Sequence, residues 1–277
     1  MALYINTNVA SLDAQRNLTQ TTMGLGKAMQ RLSSGLRISR ASDDVAGLAV
    51  AETLRSQSRS FSVAARNAND GISMIGVAEG SMQVVADNLV RMRELAEQSG
   101  SGTLVDSQRS ALQTEFKNLQ DEIDRIVDTT KFNGISMLSA SGTSIDFQVG
   151  VDSGSNNVIS LNSVNVHASA LGVGSSNAAV STQAAAQAAL TSLDSAISSL
   201  AQTRGTFGAL ENRLQTTISN IHNAMENLSS SESRIRDVDV AQETANFTRL
   251  QILQQAGMSM LAQANQQPQL ALSLLRG

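Results

Sequence analysis

Two histidines, His167 and His222, are the natural places to look for catalysis or metal binding in this chain. They lie on different elements. The chain has no cysteine, and neither histidine belongs to an H-E-x-x-H pattern. A metal site is therefore not expected, and both imidazoles are read as solvent-facing. Gly24-Leu25-Gly26-Lys27-Ala28 has a glycine and lysine in the order of a phosphate loop. It lacks the glycine before the spacer and the hydroxyl residue after the lysine, so it is not read as one. No G-x-S-x-G elbow is present. The adjacent carboxylates Asp43-Asp44 and Asp121-Glu122 suit helix surfaces better than a glycosidase cleft. Three glycosylation-type triplets, at Asn17, Asn227 and Asn246, fall inside helical patterns and are taken as coincidence. Arg31, Arg37 and Arg40 form a basic cluster. They suit either a solvated helix end, where cations complement the dipole, or contact with acidic groups of neighbouring molecules. No enzyme activity and no cofactor are expected.

The elements that carry these residues are set by composition. The chain is 41% hydrophobic but only 3% aromatic, with no tryptophan and one tyrosine. A thick core normally draws on more aromatic area, so thin seams of Ala, Leu, Ile, Val and Met between long helices are expected. The single proline, Pro268, leaves almost nothing to stop a helix before it. A net charge of −4 and the scarcity of stacking aromatics argue against nucleic-acid binding. No apolar run approaches a membrane span, and MALYINTNVASLD has neither the basic nor the apolar region of a Sec-type signal peptide. Composition by itself favours the cytoplasm, and any export must use a route without a cleavable signal.

Heptad spacing dominates the chain. Leu54, Phe61, Ala65, Ala68, Ile72, Ile75, Met82, Leu89 and Ala96 follow one another in steps of three, four and seven, the mark of a coiled-coil seam. Asp43 and Asp44 suit its N-terminus, and Gly100 and Gly102 close it. Leu112, Phe116, Leu119, Ile123 and Ile126 form a second seam, ending before the Asn133-Gly134 turn. The connection between the two is short, so they fold back antiparallel. The third seam runs from Leu190 to Ile235, with Arg204, Glu211 and Glu232 interrupting it. Polar interruptions of this kind can fix register. Between the second and third seams the period changes to two. Ile145, Phe147, Val149 and Val151 alternate, and Val158–Val166 is again β-prone. One hairpin is expected, with a loose, exposed and variable tail to about Ser181.

The two ends carry thinner seams. Leu18, Leu25, Met29, Leu32 and Leu36 make one, and Leu250, Leu253, Met260 or Leu261 and Ala264 make another. Ile5, Val9 and Leu12 run in a different phase, so a register shift is expected near Ala14. The tail from Leu270 to Leu275 is unusually apolar. So few large side chains offset little of the entropy of ordering these segments. Both ends should therefore need neighbours, which makes the chain a candidate polymer subunit.

Several long stretches resemble the bacterial flagellins. At the N-terminal end they are Ile5-Asn6-Thr7-Asn8, Arg31-Leu32-Ser33-Ser34-Gly35-Leu36-Arg37-Ile38 and Asp43-Asp44-Val45-Ala46-Gly47. Asn67 to Ser73 and Lys131-Phe132-Asn133-Gly134 continue the match. At the other end they are Ser233 to Asp239, Gln255 to Gln266 and Leu274-Leu275-Arg276. The resemblance implies a mainly α fold, a long antiparallel helical coiled-coil bundle with one small β-hairpin region, in which the N- and C-terminal helices pair. Residues 1–42 with 236–277 would form the inner filament domain, 43–138 with 182–235 the helical outer wall, and 139–181 the hairpin and a short variable region. The family's large outer domains are missing.

The implied function is a secreted, extracellular subunit of the flagellar filament, a homopolymer exported through the type III apparatus. An export chaperone, a cap complex and hook-associated proteins would be its partners. Self-assembly would rest on Leu18, Leu25, Met29, Leu32, Leu36, Leu250, Leu253, Met260 and Leu261. The stretch Asn88 to Ala96 resembles the family's recognition site for the flagellin-sensing Toll-like receptor. Arg91, Leu95 and Glu115 are the candidate contacts, expected to form one exposed patch. The alternatives are a hook–filament junction protein, which resembles flagellin at its ends, and a secreted enzyme carried on a flagellin scaffold. The long C-terminal motif argues against the first, and the short middle without H-E-x-x-H argues against the second.

Overall fold

The computed structural model describes residues 7–139 and 142–276, with side chains described as far as Gln266. Ile5, Asn6 and the side chains from Leu270 onward, which carry part of the N-terminal motif and phase and all of the apolar tail and last C-terminal motif, lie outside the described residues. Five helices account for most of the chain: α1 (Val9–Ser34), α2 (Val45–Gly100), α3 (Asp106–Thr129), α4 (Gln183–Arg236) and α5 (Val240–Arg276). Helix α5 runs through Pro268 rather than ending there. The strands are β1 (Lys131–Phe132), β2 (Ile135–Ser136), β3 (Ser144–Gln148) and β4 (Val158–Asn162). The chain forms two compact units, one of residues 57–226 and one of residues 1–56 with 227–277.

In the central unit the helices are long because their buried rows repeat every seven residues. On α2 the expected row is there: Ala68, Ile75, Met82, Leu89 and Ala96 are all buried. A second row, Gly71, Ala78, Val85, Met92 and Ser99, completes the heptad. Its small and polar members carry little hydrophobic signal, so the sequence shows only half of the seam. Helix α3 returns antiparallel, as Arg91 faces Glu115 and Ser81 faces Thr130. Helix α4 is also antiparallel to α2, with Arg93 bound to Asp194 and Glu79 to Arg204. Arg204, one of the expected polar interruptions, reaches Glu79 at 2.7 Å with both side chains about two-thirds covered. The pair holds α4 in register on α2.

The β-hairpin forms where the period changes. Strands β3 and β4 are antiparallel, with Phe147 opposite Ile159 and Ile145 opposite Leu161. Phe147 and Ile159 enter the core. Phe147 lies over Gly71, where a Cβ would come within 3.3 Å of the ring and 3.2 Å of Leu214. A smaller hairpin, β1 with β2, turns at Asn133-Gly134, both with positive φ, as a two-residue hairpin turn requires.

The segment after β4 departs from expectation. Residues 163–181 have no regular structure, yet Val166, Val173, Ala178 and Val180 are buried. They are held by polar side chains. Gln120 donates to the carbonyls of Val173 (2.6 Å) and Ala178 (3.2 Å), Ser99 donates to Val180 O, and Gln113 accepts the Val180 N–H. Ser99 completes the buried row of α2, while Gln113 and Gln120 stand one heptad apart on α3. These side chains replace the backbone partners that a strand would have supplied. His167 belongs to this arrangement. Its ring is 21% exposed and reaches Asp124 at 3.1 Å, with Asp128 at 3.5 Å. The reading of His167 as solvent-facing is corrected accordingly.

In the terminal unit α1 and α5 pair antiparallel. Asn8 donates to Ala264 O, Ser11 bonds Asn265, and Arg31 lies 3.8 Å from Glu243. The contact row on α1 is Ser11, Ala14, Leu18, Thr21, Leu25, Ala28 and Leu32, an unbroken heptad. No register shift occurs at Ala14. Val9 and Leu12 lie out of phase because they belong to another face, 58% and 52% exposed. The row on α5 is Glu243, Phe247, Leu250, Gln254, Gly257, Leu261 and Ala264. Two glycines lie in this contact, each facing a leucine of the other helix at a distance that would still admit a Cβ. Leu250 lies 3.4 Å from where a Cβ on Gly24 would stand, and Leu18 lies equally close to the same point on Gly257.

Candidate assembly and recognition surfaces

Helix α1 ends at Ser34 because Gly35 takes a left-handed conformation (φ 71°) and returns its N–H to Arg31 O. The chain then pairs briefly with the break between α4 and α5. Leu36 bridges Asp237, Arg37 N–H donates to Arg236 O at 2.7 Å, and Val238 N–H donates to Gly35 O. Leu36 was expected on the helical seam. It sits in this bridge instead, since Gly35 stops the helix first. The basic cluster is largely used within the chain. Arg31 faces Glu243, and the Arg37 guanidinium donates to the carbonyl of Ile235 near the end of α4.

Asp43 and Asp44 divide two tasks. Asp44 accepts the Gly47 N–H at 2.9 Å and caps α2. Asp43 turns back, with its side chain only 10% exposed, to meet Lys27 Nζ at 2.8 Å and the N–H groups of Ser39 and Arg40. The Lys27 ammonium and these N–H donors hold its carboxyl at a pKa of about 2, below its ordinary value of 3.8. A carboxylate depressed on folding stabilises the fold above its unfolded pKa, and that contribution disappears as pH falls through the folded value. The 35–44 loop should therefore loosen between about pH 4 and pH 2. Hydrogen exchange of the Ser39 and Arg40 amides across that window should show it. Asp43→Asn should remove the pH dependence.

The expected assembly residues fall into two groups. Leu18, Leu25, Leu32, Leu250 and Leu261 are half-buried in the α1–α5 seam. Met29, Leu253 and Met260 are not in the seam. They are 57%, 50% and 64% exposed, so their placement there is corrected. Ala28 and Leu32 of α1, and Leu250 and Leu261 of α5, hold the inward positions instead. Alongside the three exposed residues stand Val9, Leu12, Met23, Ile252 and Met258, also exposed. Only Ala28 of α1 is fully buried. The pair thus buries one side of each helix and leaves these large apolar side chains exposed on the remaining sides, with Met258 and Met260, two residues apart, on opposite flanks of α5. The out-of-phase residues Val9 and Leu12 were the signal for this exposed apolar surface.

On the central unit Arg91 and Glu115 are both exposed and joined by two hydrogen bonds of 2.8 and 3.0 Å, with Glu94 completing the cluster. Glu94 and Glu115 raise the Arg91 pKa further. Leu95 is 1% exposed and packs in the core, so it cannot share their patch. Arg91 and Leu95 lie four residues apart, but Leu95 is on the edge of the helix that turns inward. Among the described residues no helix is long and apolar enough to cross a membrane.

Comparison with known proteins agrees with this architecture. Residues 5–143 match the bacterial flagellin N-terminal helical region, and residues 190–275 match the bacterial flagellin C-terminal helical region. A flagellin of Halalkalibacterium halodurans is 46% identical over 274 residues, covering 99% of this chain and all of the relative. The flagellar filament 33 kDa core protein of Treponema phagedenis is 41% identical over 288 residues, with the same coverage. The crystal structure of Bacillus cereus flagellin superposes with a TM-score of 0.51 at 30% identity, covering 56% of this chain and 88% of that one. The chain belongs to the bacterial flagellin family, as a structural, non-enzymatic subunit of the extracellular flagellar filament.

Proposed function

We propose that assembly is driven by the outward face of the α1–α5 pair, with residues 1–42 and 236–277 forming the inner domain of the filament. Residues 43–138 and 182–235 would form its outer wall, and 139–181 the hairpin region. The observation that carries this is the set of large apolar side chains left exposed on the terminal pair, set against a central unit with a continuous core. A helix pair that covers only one face is marginal by itself, and a second copy of the same surface supplies what is missing. The seam leucines Leu18, Leu25, Leu32, Leu250 and Leu261 then set the shape of the pair, and Met29, Leu253 and Met260 make the contact between subunits. Export chaperone, cap and hook-associated proteins complete the proposed set of partners. Limited proteolysis tests the division. Soluble chain should be cut within 1–42 and 236–277 while 57–226 survives, and polymer should resist at both ends. Equal cleavage of the ends in both states would remove the terminal pair from the assembly contact.

A second reading is supported by the exposed Arg91–Glu115 pair and by the resemblance of Asn88 to Ala96 to the family's receptor-recognition stretch. Arg91 and Glu115 are proposed as contacts for the flagellin-sensing Toll-like receptor, and Leu95 supports them from the core. Exposed ion pairs contribute little to stability, so Arg91→Ala should leave thermal unfolding unchanged. An arginine at an interface is often a hot spot, so signalling by soluble chain in reporter cells should fall about tenfold. Equal signalling by wild type and variant would exclude Arg91, and silence from wild type would exclude the reading.

A further inference from the structure

Among the described residues four methionines are buried, four are exposed, and Met225 is partly buried against Ala64, Ala65 and Ile221. Met74, Met82, Met92 and Met137 of the central unit are buried, at 2% or less. Met23 and Met29 of α1 and Met258 and Met260 of α5 are 65%, 57%, 51% and 64% exposed. None of these four takes part in the seam that joins the two helices. We propose that they are an oxidation site that controls polymerisation: a peroxide converts them to sulfoxides in the free subunit, which stays folded but loses the ability to assemble. The inference rests on the reading that the sides of α1 and α5 outside their seam are covered by further copies of the chain.

The chemistry needs only the thioether and the oxidant. A sulfur lone pair attacks one peroxide oxygen, the O–O bond breaks as the S–O bond forms, and the departing hydroxide takes the proton of the new S–OH, leaving sulfoxide and water. Sulfur loses two electrons and the peroxide gains them. Access sets the rate, so the four exposed sulfurs react first and the core sulfurs remain thioethers. The product matters because a sulfoxide replaces a flexible apolar group with a polar one. In the isolated subunit that group projects into water and costs the fold nothing. In a polymer the same group must be desolvated at every repeat. The segregation thus confines the damage to assembly, and growth of the filament would shield the same sulfurs from further attack.

The test treats soluble chain and preformed filaments with hydrogen peroxide and maps sulfoxides by peptide mass spectrometry. Helicity is followed by circular dichroism and assembly by critical concentration. Oxidised soluble chain should carry sulfoxide at Met23, Met29, Met258 and Met260, keep its helicity and raise its critical concentration about tenfold or more. Filaments should be protected at these positions. A chain with M23L, M29L, M258L and M260L, which keeps apolar volume, should assemble with or without peroxide. Unchanged assembly of oxidised wild type, or equal loss in the four-leucine variant, would overturn the proposal. Failure of untreated wild type to polymerise would overturn the assembly reading itself, and the inference with it.

Discussion

Replacing Val173 with aspartate is expected to destabilise the central unit by about 4 kcal/mol, because a carboxylate would be buried without a partner. Val173 is fully buried, in a segment without helix or strand, and its carbonyl is the acceptor for Gln120. The substitution inserts charge beside Gln120, whose amide N–H groups are already given to two backbone carbonyls and whose Oε1 is an acceptor that offers a carboxylate nothing. Urea unfolding followed by far-UV circular dichroism should shift to a lower midpoint. A matched control is Ser153→Asp, in the exposed turn between β3 and β4. There the change should stay within about 0.5 kcal/mol. The contrast separates the two halves of the region between α3 and α4. The turn is open to change, and the tail is part of the core. Equal tolerance at both sites would mean that residues 163–181 contribute nothing to the fold.

Leu253→Asp should abolish filaments while leaving the soluble chain intact. Leu253 is half exposed on α5, outside the seam with α1, so the monomer has no contact there to lose. In the polymer the carboxylate would be desolvated once per subunit. A cost of about 3 kcal/mol raises the critical concentration on the order of a hundredfold. Sedimentation of concentrated chain, with electron microscopy of the pellet, gives the result. Filaments at the wild-type concentration would place Leu253 on the polymer's solvent surface. Leu250→Asp is not an equivalent test. Leu250 rests against Gly24 within the same chain, so its loss would disturb the helix pair before assembly began.

Helix content, the antiparallel return of α3 and the hairpin at β3–β4 were legible in the residues. The long helices follow from sevenfold apolar repeats, from the near absence of proline and from glycine at the ends. The alternation of Ile145, Phe147 and Val149 marks a strand because only period two places such residues on one face. The family resemblance was also carried by the residues themselves, as long motifs in order at both ends. Arg204 and Glu211 could be seen as interruptions of a seam, but not that Arg204 would pair with Glu79 of α2 while Glu211 accepts from Gln215 of its own helix.

Tertiary structure alone decided the rest, for a common physical reason. Periodicity reveals a buried position only when its side chain is apolar. It misses Gly71, Ser99, Gln113 and Gln120, which occupy core rows because a ring, a backbone or a carbonyl comes to them from far along the chain. The packing of residues 163–181 depends on those donors and acceptors, so a serine- and glycine-rich stretch that looks like open loop is held tight. The two faces of α1 and α5 show the reverse limit. Val9, Leu12, Met29, Leu253 and Met260 are as apolar as the seam residues beside them. Sequence determined that these helices carry more apolar surface than one partner can cover. Which residues face the other helix, and which stay exposed, was settled by the packing of the pair, with Leu250 against Gly24 and Leu18 against Gly257. Apolar residues on either side of a helix carry the same hydrophobic signal, so only the contacts themselves distinguish the buried ones from the exposed ones.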